Sequence, residues 1–324
     1  LNSVHSFASD PSRGVFLLSL FALFSFASIA LFFSRSVFLQ SDWPKFLSKQ
    51  YLLVLNNLVL LVILLIVFLG TLYPIATEVF YGQKLSIGPD YFSQLITPLV
   101  LILICLFSVE QFPSLLREHR NVFFTSAIAI TAGIIALEFL DFSPISFSLI
   151  FVLVALVIML LRAIAEFFKT KEVAIMHKIL GHFSVVLLTF AVLFNHQYSE
   201  SVDLKLKPGQ STEFADSSLE FKSIEILGKE NFDTVVANFY VKDKNFQADV
   251  ISEKRVYKIG GIITSETGIA SFPTKDYHIV LGDRFQDGSW SIRYSINYGI
   301  MMIWASSFLL LFSMLYGTIR RYGY

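Results

Sequence analysis

The chain of 324 residues is 55% hydrophobic, with 34 Phe and a mean hydropathy of +0.65, and its apolar residues come in long unbroken runs. That pattern places it among membrane proteins and excludes an ordinary soluble enzyme. Its 25 Lys and Arg balance 25 Asp and Glu, so bulk electrostatics point to neither nucleic acid nor an acidic partner.

The single cysteine, Cys105, lies inside an apolar run. An internal disulfide is therefore excluded and no exposed thiol nucleophile is expected. The chain opens on Leu1 without a basic segment leading into a short apolar core and a cleavage site, and it reads as a fragment or a processed piece.

Mostly apolar runs fall near 14–33, 52–72, 92–109, 122–140, 145–165, 178–195 and 298–317. Each is about 16 to 21 residues, enough at about 1.5 Å per residue to cross roughly 30 Å of hydrocarbon. These runs predict an α-helical integral membrane protein with about seven transmembrane helices. With alternating helices, Arg35, Lys45, Arg117, Arg162, Lys169 and Arg320 fall on one side, which the positive-inside rule makes cytoplasmic. The N-terminus and the segment at about 197–296 then lie outside, in a bacterial periplasm or its equivalent.

That outer segment alternates at period two: Leu219 and Phe221, then Ile224 and Ile226, later Tyr277, Ile279 and Leu281. Pro208-Gly209 and Asp287-Gly288 supply turns, so a small all-β barrel or sandwich is expected. The predicted division is a six-helix membrane region at 1–196, a periplasmic β-rich domain at 197–296 and a C-terminal transmembrane helix at 297–324.

Six histidines fall into layers on this topology. His5, His196 and His278 lie outside, His119 and His177 lie at the inner face, and His182 lies within the sixth span. An imidazole in the membrane is either a helix-packing group bonded to a neighbouring carbonyl or a functional group that binds haem iron or carries protons. Spacing alone leaves both open. His177 and His182 are five residues apart, about 140° on a helix, so both cannot reach one iron from one face, and His177 reads as interfacial. His196 follows the end of a span, His278 reads as solvent-facing and His119 as part of a solvated loop.

Asn56, Asn57, Glu138 and Asp141 are further polar residues near membrane depth and read as helix-helix or interface anchors. No Walker motif, HExxH, GxSxG or Gly-rich dinucleotide loop is present.

Several strings, in order, resemble the C-terminal half of the CcmF/NrfE family of System I cytochrome c maturation. They begin with Ser3-Val4-His5-Ser6-Phe7-Ala8, Asp10-Pro11 and Arg13-Gly14. Leu55-Asn56-Asn57, Gly70-Thr71-Leu72-Tyr73-Pro74, Ser86-Ile87-Gly88-Pro89 and Tyr91-Phe92 follow, then Leu180-Gly181-His182. Glu253-Lys254-Arg255, Thr264 to Glu266, Leu281-Gly282-Asp283, Trp290, Arg293-Tyr294 and Ile303-Trp304 close the series. Gly181 stands where the family usually has Ala, Ser184 where it has Gly, and the closing span lacks the family's Lys-Pro and first Trp.

The resemblance implies a cytochrome c haem lyase in the bacterial inner membrane, active with an N-terminal half that carries the tryptophan-rich segment and the second axial ligands. It implies that His5 is the outer ligand of haem as substrate and His182 a ligand of a permanent, membrane-bound haem b. The partners it implies are apocytochrome c, the haem chaperone CcmE and a CcmH-type thiol-reductase subunit, besides membrane lipid. A non-enzymatic haem transporter or relay using the same histidines is the alternative expectation.

Overall fold

The computed structural model describes residues 11–36, 44–45, 48–82, 85, 87–110, 144–170, 173–259 and 261–322. These divide into two compact units, one up to Ala165 and one from Glu166 onward.

The first unit is helical: α1 (Pro11–Ser36), α2 (Lys49–Tyr81), α3 (Pro89–Glu110) and most of α4 (Pro144–Thr170). Ser48 caps α2 by accepting the amide of Tyr51 at 3.2 Å, and Gly82 ends it in the left-handed region at φ +65°. A Cβ added at Gly70 would lie 2.7 Å from a ring carbon of Phe92 and 2.9 Å from one of Tyr91. Two of the strings singled out in the sequence thus meet where α3 packs its rings on the bare backbone of α2. Cys105 stands on the outward side of the apolar helix α3, while Leu103 and Ile104 take the buried face.

The second unit consists of α5 (Val173–Tyr198), nine strands, and α6 (Ile300–Tyr322). Among the described residues three helical stretches are long and apolar enough to cross a membrane: Gln50–Tyr81, Ile179–Tyr198 and Ile300–Arg320. Shorter apolar stretches are Ser19–Arg35, Tyr91–Phe107 and Ser148–Leu160. Large apolar side chains stand outward along these helices, Phe26 at 72% exposure and Phe308 at 64% among them. Surfaces of that kind are stable in lipid rather than in water. Of the predicted spans, the run at 122–140 lies outside the described residues, as do Glu138 and Asp141.

The strands are β1 (Glu200–Leu206), β2 (Ser211–Phe214), β3 (Ser217–Gly228), β4 (Phe232–Asp243), β5 (Gln247–Tyr257), β6 (Ile263–Glu266), β7 (Gly268–Ser271), β8 (Lys275–Arg284) and β9 (Trp290–Tyr298). They form two antiparallel sheets, ordered β1-β9-β8-β7 and β2-β3-β4-β5-β6. The inner faces bury Leu219, Phe221, Phe239, Tyr277, Ile279, Leu281, Ile292 and Tyr294 completely. The result is a sandwich whose core takes the period-two apolar set except Ile226, which is 73% exposed near the end of β3. That set changes parity between Phe221 and Ile224 because the β3–β4 register slips between Phe221 and Ser223. The extra residue of this bulge returns Ile224 to the inner face. Gly209 at φ +85° and Gly288 at φ +81° hold the two turns expected at Pro208-Gly209 and Asp287-Gly288.

The sandwich is tied to its helices at one end. Asn195 of α5 donates to the carbonyl of Tyr298 at 2.8 Å and to Ser199 Oγ at 2.9 Å, and the amide of Gly299 donates to Thr274 O at 3.4 Å. At the same end Asp243, on the last position of β4, pairs with Lys275 and accepts from Tyr277 Oη and the amides of Asn245 and Phe246, each at 2.6 Å. Burial acts to raise the Asp243 carboxyl, but these donors overcome it and hold the group far below the usual carboxylate range. Burial, then the Asp243 charge, pushes the Tyr277 hydroxyl well above the usual phenol range.

Where the chain crosses from one sheet to the other, a Cβ at Gly268 would lie 2.5 Å from the carbonyl oxygen of Ile251 and 2.6 Å from Val250 Cγ1. Backbone cannot give way there as a side-chain tip could. Gly268→Ala is expected to destabilise the sandwich by about 1–3 kcal/mol, read as a lower midpoint for thermal loss of the β signal; an unchanged midpoint would show that the crossover can shift at no cost.

Candidate cofactor site

Helices α5 and α6 lie antiparallel along a seam of small residues. Ser184, Ala191, Ser306 and Ser313 are buried, and a Cβ at Gly181 would lie 3.1 Å from Ser313 Oγ. Close backbone approach of this kind is how helices associate where lipid removes the hydrophobic drive. The Ser313 hydroxyl donates to the carbonyl of His177 at 2.6 Å, and a Cβ at Gly317 would meet His177 Cδ2 at 2.9 Å. Gly181 and Ser184, two of the departures from the family's usual residues, both serve this seam.

Beside the seam lies an open cavity of about 1060 Å³ bordered by His177, His182, Val185, Leu310, Met314 and Arg320. This is at the upper end of the roughly 300–1,000 Å³ typical of small-molecule and cofactor sites. His182 lies nine residues into α5, about 14 Å along the helix axis from its start.

His177, expected at the interface away from this site, borders the same cavity. The lining residues of α5 are 177, 181, 182 and 185, so the cavity wraps around the helix and admits imidazoles about 140° apart at different places. His177 Nδ1 is buried with no hydrogen-bond partner among the described residues, and its ring centroid lies 6.2 Å from that of Tyr316. The sequence reading missed His177, Gly317 and Arg320. A stripe at i, i+4, i+8 through His177, Gly181 and Val185 was the available signal.

The other sequence candidates are placed as follows. His5 and His119 lie outside the described residues. His196 is exposed near the end of α5. His278 stands on the face of β8 opposite the buried Tyr277 and Ile279, but it is half-buried rather than solvent-facing, beside Ile269 and Ser295. Burial, against the opposing effect of Asp276, lowers its tendency to take a proton. Asn56 Oδ1 is buried on α2 without a partner among the described residues, whereas Asn57 is exposed.

A second cavity, about 420 Å³, lies in the sandwich and gathers Lys254, Ser265, Gly282, Asp283 and Arg293, all from strings singled out in the sequence. Its cations are already neutralised: Arg293 is bidentate on Asp203 at 2.8 and 2.9 Å, and Lys254 pairs with Asp283. No unpaired charge is left in it to select a ligand. The helix cavity, with imidazoles and Arg320 on its wall, is the stronger candidate.

Fold and site together define a class: a membrane-embedded protein whose antiparallel β-sandwich is carried between two membrane-length helices that share a cofactor-sized, imidazole-lined cavity. Residues 197–297 match the family model described as the CcmF C-terminal beta-sandwich. The chain is 31% identical to the cytochrome c-type biogenesis protein CcmF of Pseudomonas aeruginosa, over 96% of this chain and 50% of that protein. It is 30% identical to CcmF of Pseudomonas fluorescens, over 99% and 51%, and 26% identical to NrfE of Haemophilus influenzae, over 98% and 52%.

The chain therefore spans about half the length of the curated relatives it matches. Among solved structures it is similar to a cytochrome c heme lyase CcmF with a TM-score of 0.59 at 17% identity, covering 83% of this chain and 46% of that one, a likeness of fold. The resemblance to the CcmF/NrfE family carried by the short strings thus extends along nearly the whole chain.

Proposed function

We propose that this chain is one half of a cytochrome c haem lyase of the bacterial inner membrane, with about seven spans, a six-helix region at 1–196, a periplasmic sandwich at 197–296 and a closing span. Its relatives' names supply the process, cytochrome c biogenesis. The observation that carries the reading is His182 on the wall of a cofactor-sized cavity between two membrane-length helices.

The residues present fit a resident haem b. An imidazole borders a roomy cavity with apolar side chains at one end and a cation at the other, and glycines keep the seam beside it clear. His182 would hold its iron, and the other half of the lyase would bring a second ligand. Such a haem supplies an electron at a set potential. His182 orients it, Val185, Leu310 and Met314 keep water from it, and the α5–α6 seam holds the imidazole in place.

Haem as substrate would be held by His5 on the outer face, delivered by a CcmE-type chaperone. Apocytochrome c, its thiols kept reduced by a CcmH-type subunit, would bring both thiols of its Cys-x-x-Cys-His segment to the vinyl groups. Each S–H adds across a C=C bond, sulfur to one carbon and hydrogen to the other, so the lyase contributes position rather than a nucleophile.

The test uses the full lyase with both halves. It is expected to form thioether bonds on a Cys-x-x-Cys-His peptide supplied with haem, and His5→Ala is expected to abolish them while leaving the membrane haem spectrum intact. Haem transfer without thioether formation would establish a relay instead, and loss of the membrane spectrum in His5→Ala would refute two separate sites.

A further inference from the structure

The helix cavity has chemically different ends. Near His182 its wall is apolar, with Val185, Leu310 and Met314; at the other end stand Arg320 and His177. Arg320 makes no ion pair among the described residues, and His177 Nδ1 is buried there without a hydrogen-bond partner. A buried imidazole nitrogen left unsatisfied is costly, and the exposed guanidinium at the end of the span is a cation free to meet an anion at the cavity rim. The guanidinium selects an anion, and Nδ1 in its protonated tautomer has a hydrogen bond to give to the same group.

Their positions agree. α5 and α6 run antiparallel with Gly317 facing His177, so Arg320 lies three residues beyond His177 and His182 five residues before it. From His182 to Arg320 is therefore eight residues of rise, about 12 Å. The site thus has an iron-binding imidazole, an apolar middle and a cationic end, spaced on the scale of one porphyrin with carboxylates along a single edge.

We infer that Arg320, assisted by His177, binds the carboxylates of the cofactor and so fixes which edge of the ring points to the α6 C-terminal end of the cavity. Arg320 presents a planar fork suited to a carboxylate, and His177 Nδ1 supplies a further bond. These are positioning residues. The inference rests on the proposed role of His182 and deepens it.

The experiment uses the full lyase with both halves, loaded with haem or with haem dimethyl ester, whose carboxylates are masked. Release to an excess of apomyoglobin is timed, and the visible spectrum reports iron coordination. Wild type is expected to release the ester about tenfold or more faster than haem, the factor set by losing a hydrogen bond to a charged group. Arg320→Gln is expected to remove most of the difference between the two rates with an unshifted spectrum, Arg320→Lys to recover part of it, and His177→Phe to lose the smaller remaining part.

Equal release of haem and ester from wild type overturns the inference without requiring any variant to fold. Slow haem release from Arg320→Gln also overturns it. His182→Ala in the same series separates the two ideas: a retained spectrum defeats the His182 assignment and this inference with it, whereas a lost spectrum together with indifference to the ester defeats this inference alone.

Discussion

His182→Ala is expected to remove the low-spin haem b spectrum from the assembled lyase. The loss in haem affinity should exceed the about 10–100-fold that follows removal of a group merely behind a metal ligand, because on the proposed function the ligand itself is deleted. The site favours a large effect. His182 borders a cavity walled by Val185, Leu310 and Met314, where water is a poor substitute ligand.

If the imidazole served only to pack α5, its removal would enlarge the cavity and lower stability while leaving the spectrum unchanged. Absorption of the purified variant at matched protein concentration decides between the two. Imidazole added to the buffer is expected to restore part of the spectrum by entering the space left behind.

Asp243→Asn is expected to cost the sandwich about 3–5 kcal/mol, the usual penalty for breaking a buried pair from one side. The Asp243 side chain is 2% exposed and that of Lys275 12%, so the abandoned ammonium has little access to water. The amide keeps the shape of the carboxylate and can still accept from Tyr277, Asn245 or Phe246, but it cannot neutralise Lys275.

The pH dependence has a definite sign. The folded carboxyl lies far below the unfolded value near 3.9, so the stabilisation is complete above about pH 4 and is lost as pH falls from there through the folded value. Denaturant midpoints followed by the fluorescence of Trp290, over roughly pH 3 to 7, are expected to fall in acid for wild type and to change far less for the variant. Parallel curves would remove Asp243 from the account.

The lesion should also be felt beyond the sandwich. Lys275 pairs in register with Tyr298, whose carbonyl accepts from Asn195 of α5, and Thr274 accepts from the amide of Gly299. The same corner therefore sets how the β domain meets both helices that border the cavity.

Much was legible before any coordinates. Period-two alternation in Leu219, Phe221, Tyr277, Ile279 and Leu281 named side chains that prove fully buried, and Pro208-Gly209 and Asp287-Gly288 mark real turns. Six of the seven apolar runs mark helices among the described residues, and the strings resembling a family foretold the relatives. Which face of α3 carries Cys105 was not legible, because an apolar run does not say which of its faces will find a partner.

What the sequence by itself determined are properties set by near neighbours: helix length, strand parity, turn glycines, and an imidazole within a membrane-length apolar helix. Tertiary structure alone decided that α5 pairs with α6 across an intervening sandwich, bringing Ser313 to the carbonyl of His177 over 136 positions. That pairing made His177 and Arg320, 143 positions apart and read separately in the sequence, walls of one cavity. The reason is that periodicity arises from rotation about one helix or strand axis, whereas a cavity exists only between two axes, and no local pattern encodes the distance between them.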